Sequence, residues 1–378
     1  MLSKSVNKIS SYQTNTNMDS VALFLEAESR ELRAQNQEKR RILRNNSKIK
    51  DLSNAAFKKN YRLNKPAYEY VFEQIKDKFK DDHRSDAVNP EHKLAACLRF
   101  FAEGNYQHGV GKDFQSAIGQ TTFSSILKET LDIMEHTLCK NWISLKMSEE
   151  EIQRSKTDFF ERTGFPGVIG CVDGTHVQIV APIENKHLFL NRKGHFSLNV
   201  MIICDFKMKI RAVNANYQGA NHDSHVWALS PERRFFERSF LSGTRGSWLL
   251  GDSGYALEPW LMTPYRTPRT HSVESCFNKS HKSARNIVER TIGLLKNRFR
   301  CLLGARQLHY DPLKAAQIVN VCCCLHNICL YFDSDYGNIE IMDGIEAEGD
   351  QAPNQGPPTC LRNQAAVIRN EIATQFFQ

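Results

Sequence analysis

Glycine and proline are scarce in this chain, 20 and 12 of 378 residues, which excludes a collagen-like repeat and a Gly/Pro-rich linker protein. Apolar residues make up 41% and charged residues 24%, enough for a packed core, so wholesale disorder is excluded as well. No run of about 18 apolar residues occurs. The longest candidate, 319–332, is interrupted by Asn320, His326 and Asn327, and no membrane span is expected. The first turns of the chain are rich in Ser, Asn and Lys and lack an apolar stretch, so secretion is not expected either. A paired-cysteine framework is missing: the eleven cysteines are odd in number and three stand in a row, Cys322 to Cys324. Such spacing reads as reduced thiols in a protein of the nucleus and cytoplasm. A Walker loop, a dinucleotide-binding glycine motif and a Ser-His-Asp order are also absent.

What is present is unevenly placed. Between Arg30 and Lys65 twelve Lys/Arg face three acids, so this stretch carries more than the whole net charge of +8. From Asp333 to Asp350 there are seven acids and no Lys or Arg. Any attraction for nucleic acid is therefore local, centred on the basic leader. Four segments follow: a basic, weakly ordered leader over 1–60, a helical region over 61–163, an α/β domain over 164–333, and an acidic linker with a short helix over 334–378. In the helical region, a short helix over 108–117, a turn at 118–120 and a longer helix over 121–138 have the layout of a helix-turn-helix. Its last helix would offer Gln120, Thr121, Thr122, Ser124 and Ser125 to a DNA groove, although three-helix bundles without a DNA role share this layout.

After Gly164 the texture changes to strands. The run 167–172 is apolar, 176–180 alternates, and 198–204 with 210–215 forms a hairpin; 248–250 is a short buried strand. A long helix over 279–300 carries Val288, Ile292 and Leu295 inward, and another begins after Asp311. Four acids stand at the ends or edges of these elements: Asp173 and Asp252 after apolar runs, Asp223 after the hairpin, and Glu289 beside the apolar stripe of the long helix. Carboxylates at the mouth of a sheet suit a hard cation. Taken singly, Asp-Gly and Asp-Ser-Gly are also turn formers, and Glu289 has Arg285 one turn earlier as an ordinary partner. Residue chemistry leaves both readings open. His176 and His222, next to two of the acids, read as hydrogen-bond supports. Cys324, His326 and Cys329 do not present tetrahedral zinc spacing on a helix and read as a buried face.

The motifs around the acids occur in a fixed order: Gly-Val-Ile-Gly-Cys-Val-Asp-Gly-Thr-His to His176, Asn-Arg-Lys-Gly to Gly194 with Ser-Leu-Asn to Asn199, His-Asp-Ser to Ser224, and Gly-Asp-Ser-Gly-Tyr to Tyr255. Pro-Trp-Leu-Met-Thr-Pro-Tyr to Tyr265, Phe-Asn to Asn278, Val-Glu-Arg to Arg290, and Leu-His-Asn-Ile-Cys to Cys329 follow. Together, over about 65–335, they closely resemble the PIF/Harbinger family of DDE transposases and transposase-derived nucleases. The resemblance implies an α/β, RNase H-like core with a mixed sheet flanked by helices, behind an all-helical N-terminal region. It implies a divalent-metal-dependent DNA endonuclease, with Mg²⁺ or Mn²⁺ held by carboxylates. Asp173, Asp252 and Glu289 match the catalytic triad, and Asp223 matches a further metal ligand. Arg285, Arg290 and Lys296 are the cations expected at the DNA backbone. The resemblance also implies a separate Myb/SANT-like protein that assists DNA recognition and nuclear entry, and it leaves self-association open. His195-Phe196 and Met201 depart from the family wording without touching an acid. A domesticated chain that binds DNA or a partner without cutting is the alternative.

Overall fold

The computed structural model describes residues 3–46, 49–81, 87–104, 118–332 and 359–378. Helices α1 (Ser3–Asn46), α2 (Asn54–Tyr61), α3 (Lys65–Ile75), α4 (Pro90–Glu103), α5 (Gln120–Met134) and α6 (Glu149–Thr163) precede the sheet. Their starts are dictated locally. The side chains of Ser53, Asn64, Asn89 and Ser148 each accept from a first-turn backbone N–H, and Ser148 completes a capping box with Glu151. The leader is more structured than its composition indicates. Ile49, Phe57 and Tyr61 are buried, and the Phe57 ring lies 4.8 Å from Tyr61 and 5.2 Å from Tyr68. The packed body thus begins near residue 49, because these apolar side chains close over α3. The short helix expected over 108–117 lies outside the described residues; α5 matches the longer helix, with Gln120, Thr121, Thr122 and Ser125 exposed. A helix-turn-helix is therefore not established.

Strands β1 (Val168–Gln178), β2 (Ser197–Cys204), β3 (Ile210–Gln218), β4 (Trp248–Leu250) and β5 (Leu261–Met262) form one mixed sheet in the order β3-β2-β1-β4-β5. The first three are antiparallel; β4 and β5 run parallel to β1. Every residue of β2 is buried, which is why 198–204 reads as a near-continuous apolar run. Period-two alternation sorts the sheet onto two cores. Cys171, Val177, Val200 and Ile202 face one side with helices α9 (Val273–Arg298) and α10 (Pro312–Phe332). Val172, Met201 and Ile203 face the other with α7 (Asp223–Leu229) and α8 (Pro231–Leu241).

Two expectations are corrected here. The runs 167–172 and 176–180 are a single strand, so Asp173 sits mid-strand, opposite Ile202, and does not end one. What ends there is its neighbour: β4 pairs only as far as Leu250 against Cys171, leaving Asp173 at an uncovered sheet edge. The second concerns the division at residue 333: the short helix expected in the last segment is α11 (Thr359–Phe376), and it packs on the α/β domain. Its Ala365, Ile372 and Ala373 are buried, and Phe377 joins Phe165 and Phe277 in an aromatic cluster.

Helix α10 is long and apolar enough, by length and composition, to cross a membrane, but most of it is buried within the fold as a core helix. Asn327 fastens it to β3: its Oδ1 accepts from the Ile210 N–H (2.8 Å), and its Nδ2 donates to the carbonyls of Ile210 (2.8 Å) and Trp142 (2.9 Å). All eleven cysteines are free thiols, and Cys276 and Cys360 are the exposed ones. The fold predicts that Phe57→Ala costs about 3–5 kcal/mol. In a thermal melt this lowers the midpoint by roughly 5 °C; an unchanged midpoint would show that residues 49–61 are not part of the packed body.

Candidate active site

All four acids singled out by the motifs line one cavity of about 430 Å³. Each is delivered by a different device. Asp173 extends from β1 on the face shared with Cys171, whose thiol donates to the Ala284 carbonyl of α9 (3.6 Å), so this carboxylate meets α9. Glu289 comes up from α9 itself, half-buried beside Val288 and Ile292. Asp252 leaves β4 two residues after it ends, and its Oδ1 accepts from the Gly254 N–H (2.9 Å). Asp223 begins α7 and is held by Asn199 of β2, whose Nδ2 donates to its Oδ1 (2.7 Å) and to the Asn221 carbonyl (2.9 Å). The Asp223 carboxylate occupies the space where a Cβ at residue 174 would stand, so Gly174 is required for Asp223 to approach β1.

Arg285 holds this group together. One guanidinium nitrogen lies 3.1 Å from Asp173, and the other bonds Glu289 one turn further along α9. The pairing of Glu289 with Arg285 thus exists, but within the acid cluster. Burial pushes the Asp173 carboxyl from 3.8 up to about 7, with Arg285 pulling it down and Asp223 and Asp252 pushing it further up. Burial also raises Asp223 and Asp252. Buried carboxylates held above their ordinary range and grouped in one cavity mark a candidate functional site. Among the described residues, no three His, Cys, Asp or Glu side chains close around a single point.

Of the three cations expected at DNA, Lys296 lines the cavity and donates to the His176 carbonyl (2.8 Å), and burial lowers its ammonium to about 8. Arg285 is instead spent on the carboxylates, and Arg290 is exposed outside the cavity lining. Residue spacing along α9 could not distinguish these fates, because one helical stripe meets both the cluster and its rim. His176 and His222 both act through hydrogen bonds. His176 contacts the Ser197 hydroxyl (3.0 Å), and burial, with Lys296, Lys193 and Arg192, lowers it to about 4, so it is neutral. His222 accepts from Arg192 (2.7 Å). Asn191 ties the Arg192–Lys193 loop down: its Nδ2 donates to Ser197, and its Oδ1 accepts from the N–H groups of Lys193 and His195. Asn199, Gly174 and Arg285 carry this geometry, and only a motif match, without a role, pointed to the first two.

The sign of the Asp173 shift gives a test in metal-free buffer. Because the folded carboxyl holds its proton up to about pH 7 and the unfolded one releases it near 3.8, stability falls as pH rises through that window. Asp173→Asn removes this effect, so at pH 8 in EDTA it should melt roughly 5 °C above the parent. The gap should close toward pH 4. Equal midpoints at both pH values would refute the buried-acid account.

Residues 172–327 match the model of a DDE superfamily endonuclease. A Rattus norvegicus protein named "Putative nuclease HARBI1" is 33% identical, the match covering 78% of this chain and 82% of that protein. HARBI1 of Xenopus laevis is 31% identical over 84% of this chain and 89% of its own length. A protein from Arabidopsis thaliana named ALP1-like is 24% identical over 85% and 81%. No solved structure matches. With the acids in one cavity and these relatives spanning most of its length, the chain belongs to the Harbinger transposase-derived nuclease family of DDE superfamily endonucleases.

Proposed function

We propose that this protein is a divalent-metal-dependent DNA endonuclease whose centre is Asp173, Asp252 and Glu289, with Asp223 as a further ligand. The observation that carries the reading is the convergence of four carboxylates from β1, the β4 exit, α7 and α9 on one cavity. The sheet order, three antiparallel strands followed by two parallel ones, supports an RNase H-like core. The donor set fits Mg²⁺ or Mn²⁺: every candidate ligand is a carboxylate oxygen, the chemistry hard cations take. Mg²⁺ keeps several waters and uses one or two carboxylates with substrate phosphates, so a closed protein cage is not needed.

A metal held there would polarise the phosphodiester and lower the pKa of a water beside it. The chain's own residues do the rest. Arg285 holds Asp173 and Glu289 in place and limits their repulsion. Asn199 keeps Asp223 against Gly174. Lys296, with Arg192 and Lys193 on the tethered loop, gives the rim positive charge for a phosphate backbone. Sequence recognition in this reading falls to a Myb/SANT-like partner, and the nucleus and cytoplasm are the compartments. A second reading, a domesticated binder that does not cut, draws support from Arg285, which already supplies the acids with a counter-ion. It is also in keeping with the name of a relative 25% identical, from Arabidopsis thaliana, antagonist of like heterochromatin protein 1.

Supercoiled DNA separates the two. The wild type should nick it with Mn²⁺ or Mg²⁺ and gain thermal stability on adding Mn²⁺, while Asp173→Asn and Asp252→Asn lose both. Asn199→Ala should lower metal affinity or rate roughly 10–100-fold, the effect of removing a group that orients a ligand. A metal-induced shift without nicking makes the domesticated binder correct; a shift undiminished in the Asn variants shows that the acids are turn formers.

A further inference from the structure

Beyond the Asp252 loop lies a second cavity, of about 400 Å³, between α11 and the chain that leaves β4 and β5. Ser253, directly after Asp252, lines it, and so does Tyr255. Its charged lining is Arg266, Arg362 and Arg369, with no acid among the lining residues. Arg369 is fixed in position: its guanidinium lies 4.0 Å from the centre of the Tyr265 ring and donates to the carbonyls of Thr263 and Pro264 at 3.3 Å. Glu274 is the acid whose field reaches Arg369 and Tyr265. Arg266 and Arg362 are exposed at the mouth. One polar atom here, Nε of Arg369, is buried without a hydrogen-bond partner.

Three arginines and no lysine make this a place for planar, two-pronged recognition, which a phosphate satisfies and a simple positive surface does not demand. Position adds the rest. Asp252 lines the acid cavity and Ser253, the next residue, lines this one, so the two cavities adjoin at that loop. The acids repel a polyanion, so DNA that reaches them needs positive charge nearby, which Arg192, Lys193 and Lys296 supply within the acid cavity and the arginines supply beyond Ser253. We propose that Arg266, Arg362 and Arg369 form a binding site for a backbone phosphate of DNA that flanks the bond presented to the acids, which makes α11 part of the substrate-binding surface. The inference rests on the nuclease reading for its substrate, but its test reads binding and not cleavage.

The test is fluorescence anisotropy of a labelled duplex with full-length protein in EDTA, repeated from about 50 to 200 mM salt. The double variant Arg266→Gln/Arg362→Gln should bind roughly tenfold more weakly at the lowest salt, with a salt slope smaller by about one to two. Both side chains are exposed, so the thermal midpoint should not move. Arg266→Lys/Arg362→Lys should recover only part of the loss, because it restores charge without the planar fork. Arg154→Gln/Lys207→Gln, in the cavity at the β2–β3 turn, removes the same charge and should bind like wild type. Unchanged affinity and slope in the Arg266/Arg362 pair, an equal loss in the control pair, or no binding by the wild type each overturns the site. A wild type that binds but never nicks removes the nuclease reading and leaves the site standing.

Discussion

Carboxylates placed side by side in a protein interior repel one another, and the centre of this molecule depends on Arg285 to make that arrangement tolerable. It reaches Asp173 on the sheet and Glu289 on its own helix, so a single guanidinium joins β1 to α9 electrostatically. Partial burial strengthens this attraction, but it also makes any carboxylate left without a partner more costly. The Asp173 carboxyl remains far above its ordinary range even with Arg285 beside it, so one cation compensates the cluster only in part.

The surrounding structure holds the cluster through buried polar side chains that each bond in several directions. Glu258 accepts from Trp227 (2.9 Å) and from Arg233 (2.8 Å), joining α7 and α8 to the approach to β5. Asn278 bonds both the N–H and the carbonyl of Tyr265 at 2.8 Å, fixing the start of α9 against the chain after β5. His326 accepts from Arg298 and donates to the Met208 carbonyl, and with Asn327 it seats α10 on the hairpin turn. A buried amide or carboxylate that loses one partner leaves others unsatisfied, so each clamp tolerates few replacements.

Those clamps explain why so much could be read in the chain itself. The hairpin, the short strand at 248–250 and the long helix with Glu289 on its edge follow from local periodicity and burial, and they stand where expected. The four acids drew attention because they stand beside apolar runs and in motifs that resemble a known family, and the fold brings all four to one cavity. Three things were not legible. That 167–180 is one strand depends on β2 pairing along its whole length, a contact between residues far apart. The burial of Phe57 and Tyr61 depends on α3 lying over them, whereas local charge argued for a loose leader. Arg285 reads from the sequence as a partner of Glu289 or a cation for DNA; its reach to Asp173 is set by the packing of α9 under β1, seen in the contact from Cys171 to Ala284.

The burial of the thiols has a practical side. Cys322, Cys323 and Cys324 point to different sides of α10 yet all lie inside the protein; burial raises the first two thiols, and a hydrogen bond with Cys139 together with burial raises Cys324, so none is readily ionised. Cys276, near the start of α9, and Cys360, at the start of α11, are exposed. A maleimide dye applied to the native protein would therefore find one handle on the helix that carries Glu289 and another on the helix that carries Arg362. The unmodified sequence already holds two attachment points for following α9 and α11 by energy transfer.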